Sequence, residues 1–450
     1  MRHDAGIVIL ATVLLYLAPP AFGQVRSVSS DTRVDPPASP SVTASAATSA
    51  AASAFAAAAA ADGNTPVDPA AVPDAREWFG SGVKWADWSR MTGDWDRMRT
   101  DLEHRGFALD LSTVSDFSTI SGASRRVRGL ERGLTTLGLN FDLEKLAGWA
   151  GASVLVQYQG LAGANAALYS ALAQGFSNID ADRFGRLGEA WLQFQASSAI
   201  RVKLGRIDAN KEFAFVENGS EFMNSSMGYS PTIVALPTYP DPHAGLVTHV
   251  DLGDRLYVAA GAFNSGPATG VADFGAVFGI GEVGVKWEAV GGGRLGIGYW
   301  GVGGRRADPD DAVQTIPIKT GGAYLVFDQT LWADEQDGHE QSIGAFLQAG
   351  TADPALSTLA YHVGGGLSFR GLVSVRPDDS IGFGVTVVGA RAPVMAGHVT
   401  HAETNVGAFY RLAVTKWMAL KPDVQVVRRA GGDSTRRALV AGTLRVEFGF

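Results

Sequence analysis

RALVAGTLRVEFGF, residues 437–450, decides how the rest of the chain is read. Val440, Gly442, Leu444, Val446, Phe448 and Phe450 share one parity, and Ala441, Thr443, Arg445, Glu447 and Gly449 share the other. A period of two marks a strand with one apolar and one polar face, because successive side chains point to opposite sides of the pleat. The run ends on an aromatic residue, as expected of the strand that closes a barrel in an outer membrane. A soluble sandwich gives the same alternation in a single strand; the spacing of the other strands separates the two.

Across its 450 residues the chain is 46% hydrophobic, enough for a large core or a lipid-facing surface. Only the extreme N-terminus approaches the run of about 18 apolar residues that a membrane helix needs, so a spanning structure is expected to be a closed barrel. The 56 glycines and 18% charged residues suit many turns and alternating strands. A formal charge of -8 argues against a nucleic-acid partner. Cysteine is absent, which removes disulfides, thiol nucleophiles and Cys-ligated zinc.

Residues 1–23 combine Arg2, an apolar stretch from Ile7 to Leu17, and small residues Ala21 and Gly23, the pattern of a cleaved secretory signal. Residues 24–75 are rich in Ala, Ser and Pro, with no amphipathic face to dock, and read as a flexible periplasmic tether. Residues 76–108 are dense in Trp and charge. Thr92 is placed to cap a helix that carries Trp95, Met98 and Leu102 at helical spacing and stops at Gly106; it is expected to pack on a barrel's periplasmic rim.

From Leu109 onward the pattern alternates to the end, giving an all-β reading of sixteen strands. The connecting links fall into two alternating classes. Seven are short: 144–151, 196–199, 252–254, 291–293, 334–340, 375–379 and 415–417. Eight are mostly longer: 121–132, 161–185, 208–243, 264–281, 301–320, 351–361, 391–401 and 431–436. An even number of strands with both ends on the short-turn side is the layout of a transmembrane antiparallel barrel with periplasmic turns and extracellular loops.

Facing follows from parity. Ala152, Val154, Val156 and Tyr158 are expected to meet lipid, leaving Ser153, Leu155, Gln157 and Gln159 inside; Met418, Leu420, Val424 and Val426 point out, while Lys421, Asp423 and Gln425 point in. Arg445 and Glu447 join the interior, and a surface lined by Gln157, Lys421, Asp423, Arg445 and Glu447 is a wet, pore-lining one.

Four blocks carry a family resemblance: TGDWDRMRTDLEHRGFALDLS at 92–112, DLEKLAGWAGASVLVQ at 142–157, RLGEAWLQF at 186–194, and LGRIDANKEFAFVENGSEFMNSSMGYSP at 204–231. Together they resemble the carbohydrate-selective porins of the OprB family from about Trp78 to Phe450. The resemblance implies a sixteen-stranded outer-membrane porin, often trimeric, that passes monosaccharides and other small neutral sugars past loops folded into the lumen. It also implies that Phe450 is a handle for the barrel-assembly machinery. Outer-membrane lipid and lipopolysaccharide are the expected surroundings. The Ala-rich segment is not part of the family pattern.

The longest link, 208–243, has the residue types a sugar needs, since hydroxyls both donate and accept while C–H faces pack on rings. It offers Asp208, Asn210, Lys211, Glu212, Glu217, Asn218 and Asn224 beside Phe213, Phe215, Phe222, Tyr229 and Tyr239. Arg183, Arg186 and Arg206 lie at strand ends next to this link and the 161–185 link, where each could present a forked donor. Glu189, Trp191 and Gln193 share one strand face and could extend the sugar path, although Trp191 could equally belong to an aromatic girdle.

Enzyme chemistry finds no footing. GIGEVG at 279–284 and GGGRLG at 291–296 fit a dinucleotide pattern but lead into strands rather than helices. His398 and His401 lack an acidic third ligand at helical spacing, so no metal, cofactor or catalytic residue is implied. A general porin without sugar preference is the alternative within transport, and an outer-membrane barrel hydrolase the alternative outside it.

Overall fold

The computed structural model describes residues 76–122, 127–166, 172–234, 236–264, 277–307, 315–336, 339–353, 359–373, 375–390 and 401–450. The signal and tether segments and His398 lie outside these residues. Sixteen antiparallel strands form one closed barrel in which each pairs with its sequence neighbours. They are β1 (Phe107–Ser121), β2 (Val127–Asp142), β3 (Ala152–Gly163), β4 (Phe184–Ser197), β5 (Ile200–Ile207), β6 (His243–Leu252), β7 (Leu256–Asn264) and β8 (Val277–Trp287), followed by β9 (Gly293–Ala307), β10 (Thr315–Gln336), β11 (His339–Thr351), β12 (Leu359–Arg370), β13 (Ser380–Ala390), β14 (Ala402–Thr415), β15 (Met418–Arg428) and β16 (Leu439–Gly449). Closure is made by β16 on β1, in register from Ser112 opposite Gly449 to Ser121 opposite Val440. No sheet edge is left among the described residues, so the strands satisfy their ladder N–H and C=O groups against one another, as a hydrocarbon environment demands.

Short and long links alternate as expected from β3 to β12, but the 122–126 and 352–358 links are shorter than the 143–151 and 371–379 links that follow them. The 301–320 link shrinks to 308–314, because β9 and β10 stay paired out to Ala307 opposite Thr315. Facing follows parity in β15 and β16: Val424 and Leu444 are exposed, whereas Lys421, Asp423, Arg445 and Glu447 are buried inward. In β3, Val156 and Tyr158 are exposed as expected, but Ala152 is buried. It stands opposite Phe194 at the turn, where Trp149 and Phe194 lie 5.8 Å apart, ring to ring.

The segment before the barrel departs from its sequence reading. Helix α1 covers only Met98–His104, and its N-cap is Arg97 rather than Thr92. Trp95, Asp96 and Arg97 all have left-handed backbones, so Trp95 is not helical. The buried face is Arg99, Thr100 and Glu103, while Met98 is exposed. The barrel rim supplies the reason: the Arg99 guanidinium donates to the carbonyls of Phe450 (2.8 Å) and Leu109, bridging the two strands at the closure. Phe450 N–H donates to Leu111 O at 2.9 Å, and its ring joins Trp88, Met91 and Trp417 in one apolar cluster. Two further short helices lie within links, α2 (Leu143–Ala147) in a short one and α3 (Ser225–Gly228) in the longest.

Candidate functional site

Two of the long links are packed against the inner wall: loop I, described over residues 164–166 and 172–183 between β3 and β4, and loop II, described over residues 208–234 and 236–242 between β5 and β6. Loop II leaves the barrel through a neck closed by Ala209 N–H on Pro237 O at 2.7 Å, with Asp208 capping the turn Ala209–Lys211 through Asn210 N–H. Its apolar residues Phe213, Val216, Phe222, Met227 and Tyr229 are buried against Phe263, Phe278, Trp300, Phe346 and Phe409 of the strands. A hydrophobic core therefore sits inside the barrel. The wall makes room with glycine: a Cβ on Gly344 would lie 1.6 Å from Asn218 Oδ1, and one on Gly350 would lie 2.2 Å from Ser230 Oγ. Only a bare backbone allows loop and wall to approach this closely.

Polar ties fix the same loop. Asp328 accepts from the backbone N–H groups of Glu217 and Asn218, each at 3.0 Å, and Asn218 Oδ1 accepts from Ser368 Oγ at 2.8 Å. Gln348 donates to the carbonyls of Ser226 and Met227, both at 2.8 Å. Asn224 caps α3 through Ser226 N–H and donates from its amide to Gln425.

Loop I is held on the other side of the barrel. Arg445 of β16 forks onto Asp116 of β1 at 2.7 and 3.0 Å; Arg132 of β2 lies 3.4 Å from Asp116 and pairs with Asp180 of the loop. Burial pushes the Asp180 carboxyl up to about 6, against the pull of Arg132. Further along, Glu403 accepts from Ala173 N–H (2.8 Å), Gln174 N–H (3.0 Å) and Gly431 N–H (2.6 Å). The two loops also touch, through Ser225 N–H on Gly175 O and Tyr239 O–H on Ile179 O.

Around loop II stand four guanidinium–carboxylate pairs, whose arginines lie one on each of β5, β9, β12 and β14. Arg201 pairs with Glu212 (2.9 Å), Arg294 with Glu282 (3.2 Å), Arg370 with Glu221 (2.9 Å) and Arg411 with Glu447 (2.9 Å). The arginine side chains are 24% to 52% exposed, while three of the four acids are almost wholly buried. Each arginine thus shows spare N–H donors while its charge is matched by an acid behind it. For Glu212, burial opposes ionisation, but Lys203 and Arg201 hold its carboxyl down at about 2.

At the end of the barrel that carries the long links, Arg186 (3.2 Å) and Arg206 (2.6 Å) converge on Asp241 Oδ1, and His243 lies 3.5 Å from Oδ2. His243 and Arg206 hold the Asp241 carboxyl far below the usual carboxylate range. The Arg186 guanidinium lies over the Phe184 ring at 4.6 Å. A bulge in β4 opposite Gln157 lets Arg186 and Glu189 both face inward despite their odd spacing.

The sequence-derived candidates thus separate into groups. Glu189 binds Lys211, accepts from Asp208 N–H (3.1 Å) and accepts from Trp191 Nε1 (3.3 Å), drawing four candidates into one cluster. Burial works against the Lys211 ammonium, yet Glu189 and Asp208 raise its pKa. Glu212, Glu217 and Asn218 belong to the loop II face described above, and Asn210 is buried with its amide on Phe213 O. Arg183 is exposed where loop I meets β4. Gln157, Lys421, Asp423, Arg445 and Glu447 face inward but lie buried beneath the loops, tying them down: Lys421 Nζ donates to Glu221 O at 3.1 Å. Sequence reasoning did not single out Arg201, Lys203, Glu282, Arg294, Arg370 or Arg411. The signal was there, a charge at an inward position of an otherwise apolar or glycine-rich strand.

A family model described as carbohydrate-selective porin, OprB family, matches residues 129–450. Porin B of Pseudomonas aeruginosa is 22% identical over 439 residues, covering 82% of this chain and 92% of that protein. The solved structure of Pseudomonas putida OprB at high pH superposes with a TM-score of 0.71 at 19% identity, covering 81% of this chain and 99% of that one. The low-pH structure of the same protein gives a TM-score of 0.54 at 18% identity, over 80% of this chain and 99% of that one.

Proposed function

The chain belongs to the carbohydrate-selective porins of the OprB family, which places it in the outer membrane, and from that membership we propose that it passes small neutral sugars, monosaccharides such as glucose, by diffusion. In this reading loop II is the constriction and the half-exposed arginine–glutamate pairs line the path. The observation that carries it is the paired wall: Arg201, Arg294, Arg370 and Arg411 offer hydrogen-bond donors and each has a carboxylate against it, Glu212 and Glu447 being shared with Lys203 and Lys421. Such a surface favours a polyhydroxylated neutral solute over an ion of either sign, because the solute's hydroxyls can exchange hydrogen bonds with the wall without bringing in an unmatched charge. Conduction needs only weak, repeated contacts, so no catalytic group is called for.

At the extracellular mouth, Arg186, Arg206 and Asp241 beside the Phe184 ring combine donors, an acceptor and an apolar face, the set a pyranose needs. We assign first contact with sugar to this cluster, and passage to the pairs below. Homotrimer formation and recognition of Phe450 by the assembly machinery belong to the same proposal.

Proteoliposome swelling tests it. Glucose is expected to enter several times faster than gluconate or glucosamine, whose size is similar but whose charge is not. Equal rates for all three would replace this reading with a general porin.

A further inference from the structure

Four arginines crowd the long-link end of the β15–β16 hairpin: Arg428, Arg429, Arg436 and Arg437, all exposed. Arg428 is the last residue of β15 and shares the outward parity of Val424 and Val426, of which Val424 is 53% exposed on the lipid side. Arg429 turns the chain with a left-handed backbone at φ 56°, and Arg437 stands two residues before β16. Two acids lie near. Asp433 is engaged by Arg436 at 3.2 Å and by Thr435, and Glu403 points inward to receive Gly431 N–H. Arg428, Arg429 and Arg437 have no acidic partner among the described residues, a local excess of positive charge on a chain whose net charge is -8.

An uncompensated guanidinium at the end of a lipid-facing stripe lies at the depth where hydrocarbon gives way to headgroups. There the stem stays in the apolar layer and the fork reaches anionic oxygens. We propose that Arg428, Arg429 and Arg437 form a docking site for the phosphate groups of the outer leaflet's glycolipid, lipid A. Arg428 continues the outward stripe and the other two arginines lie in the link beyond it, so the site rests on the outer-membrane placement and is independent of which solute permeates.

Native mass spectrometry of the full-length barrel, loaded with lipid A and then diluted in detergent, measures the bound lipid directly. Wild-type protein is expected to retain lipid A with roughly a hundredfold higher affinity than the R428Q/R429Q/R437Q variant, since each surface arginine adds about 1 kcal/mol toward an anionic membrane. Millimolar inorganic phosphate should leave the bound lipid in place. Equal retention by the two proteins would overturn the proposal. Displacement by inorganic phosphate would overturn it in favour of a free-anion site. Equal retention of phosphatidylcholine would overturn it in favour of non-specific adsorption. Glucose swelling by the same variant should be unchanged, which keeps this test separate from that of the sugar reading.

Discussion

Asp180 and Glu212 are both buried loop carboxyls, yet they respond to pH in opposite ways. Asp180 shares one arginine, Arg132, with Asp116, and burial raises its pKa to about 6. When loop I is docked, Asp180 holds a proton that an undocked, solvated carboxyl would release above about 4. Docking is therefore strongest below about pH 4, weakens as pH rises to about 6, and is constant beyond, by up to ~3 kcal/mol. Glu212, held at about 2 by Lys203 and Arg201, strengthens the docking of loop II as pH rises through the acid range, and that gain is complete by about pH 4.5. Between pH 4.5 and 7 Asp180 should loosen loop I, while Glu212 adds no further change to loop II. Single-channel recordings in planar bilayers are expected to show more current noise at pH 7 than at pH 4.5, and Asp180→Asn, which mimics the protonated form, should be quiet at both. Noise with unchanged pH dependence in that variant would remove Asp180 as its source.

Among the elements, the strands were readable and the loop docking was not. Strand register is written locally, in a period of two punctuated by turn residues, so parity alone gave the facing of Lys421, Arg445 and Glu447. What an inward residue touches depends on a loop far away in sequence. Gly344 is one of many strand glycines until Asn218 is seen against it. The α1 segment failed for a related reason: Trp95, Met98 and Leu102 fit a helical stripe, but the rim carbonyls of Leu109 and Phe450 drew in Arg99 instead. Gly344→Val tests the loop–wall contact at this scale. The added side chain collides with Asn218, so the tip at 217–219 must lift and lose its bonds to Asp328, worth roughly 1.5–3 kcal/mol each for hydrogen bonds to a charged group. We expect higher conductance and weaker block of ion current by glucose. Heat-modifiable mobility on SDS gels should stay normal, because no ladder bond is touched. Unaltered conductance and block would mean the tip does not narrow the path.

For the molecule as a whole, sixteen strands enclose more space than side chains alone can fill, so the barrel's selectivity has to come from what is placed inside it. Loop II is held there chiefly by apolar burial, about 1.5–3 kcal/mol for each fully buried large side chain, and Phe213, Phe222, Met227 and Tyr229 all qualify. That anchorage is insensitive to salt, unlike a loop held by charge alone. The loop also supplies Glu212 and Glu221, the partners of Arg201, Lys203 and Arg370. Replacing residues 212–231 with a Gly/Ser linker thus changes two properties together: it widens the path, and it leaves three wall cations without their acids. Such a variant should still close its barrel, since closure depends on β1, β16 and Arg99. Its conductance should rise several-fold, it should pass a trisaccharide faster than the native protein does, and its ion preference should shift toward chloride. Reversal potentials in a KCl gradient, read beside swelling rates, separate the two effects. A wider pore without the shift toward anions would mean that the loop narrows the path but does not balance the charge of the wall.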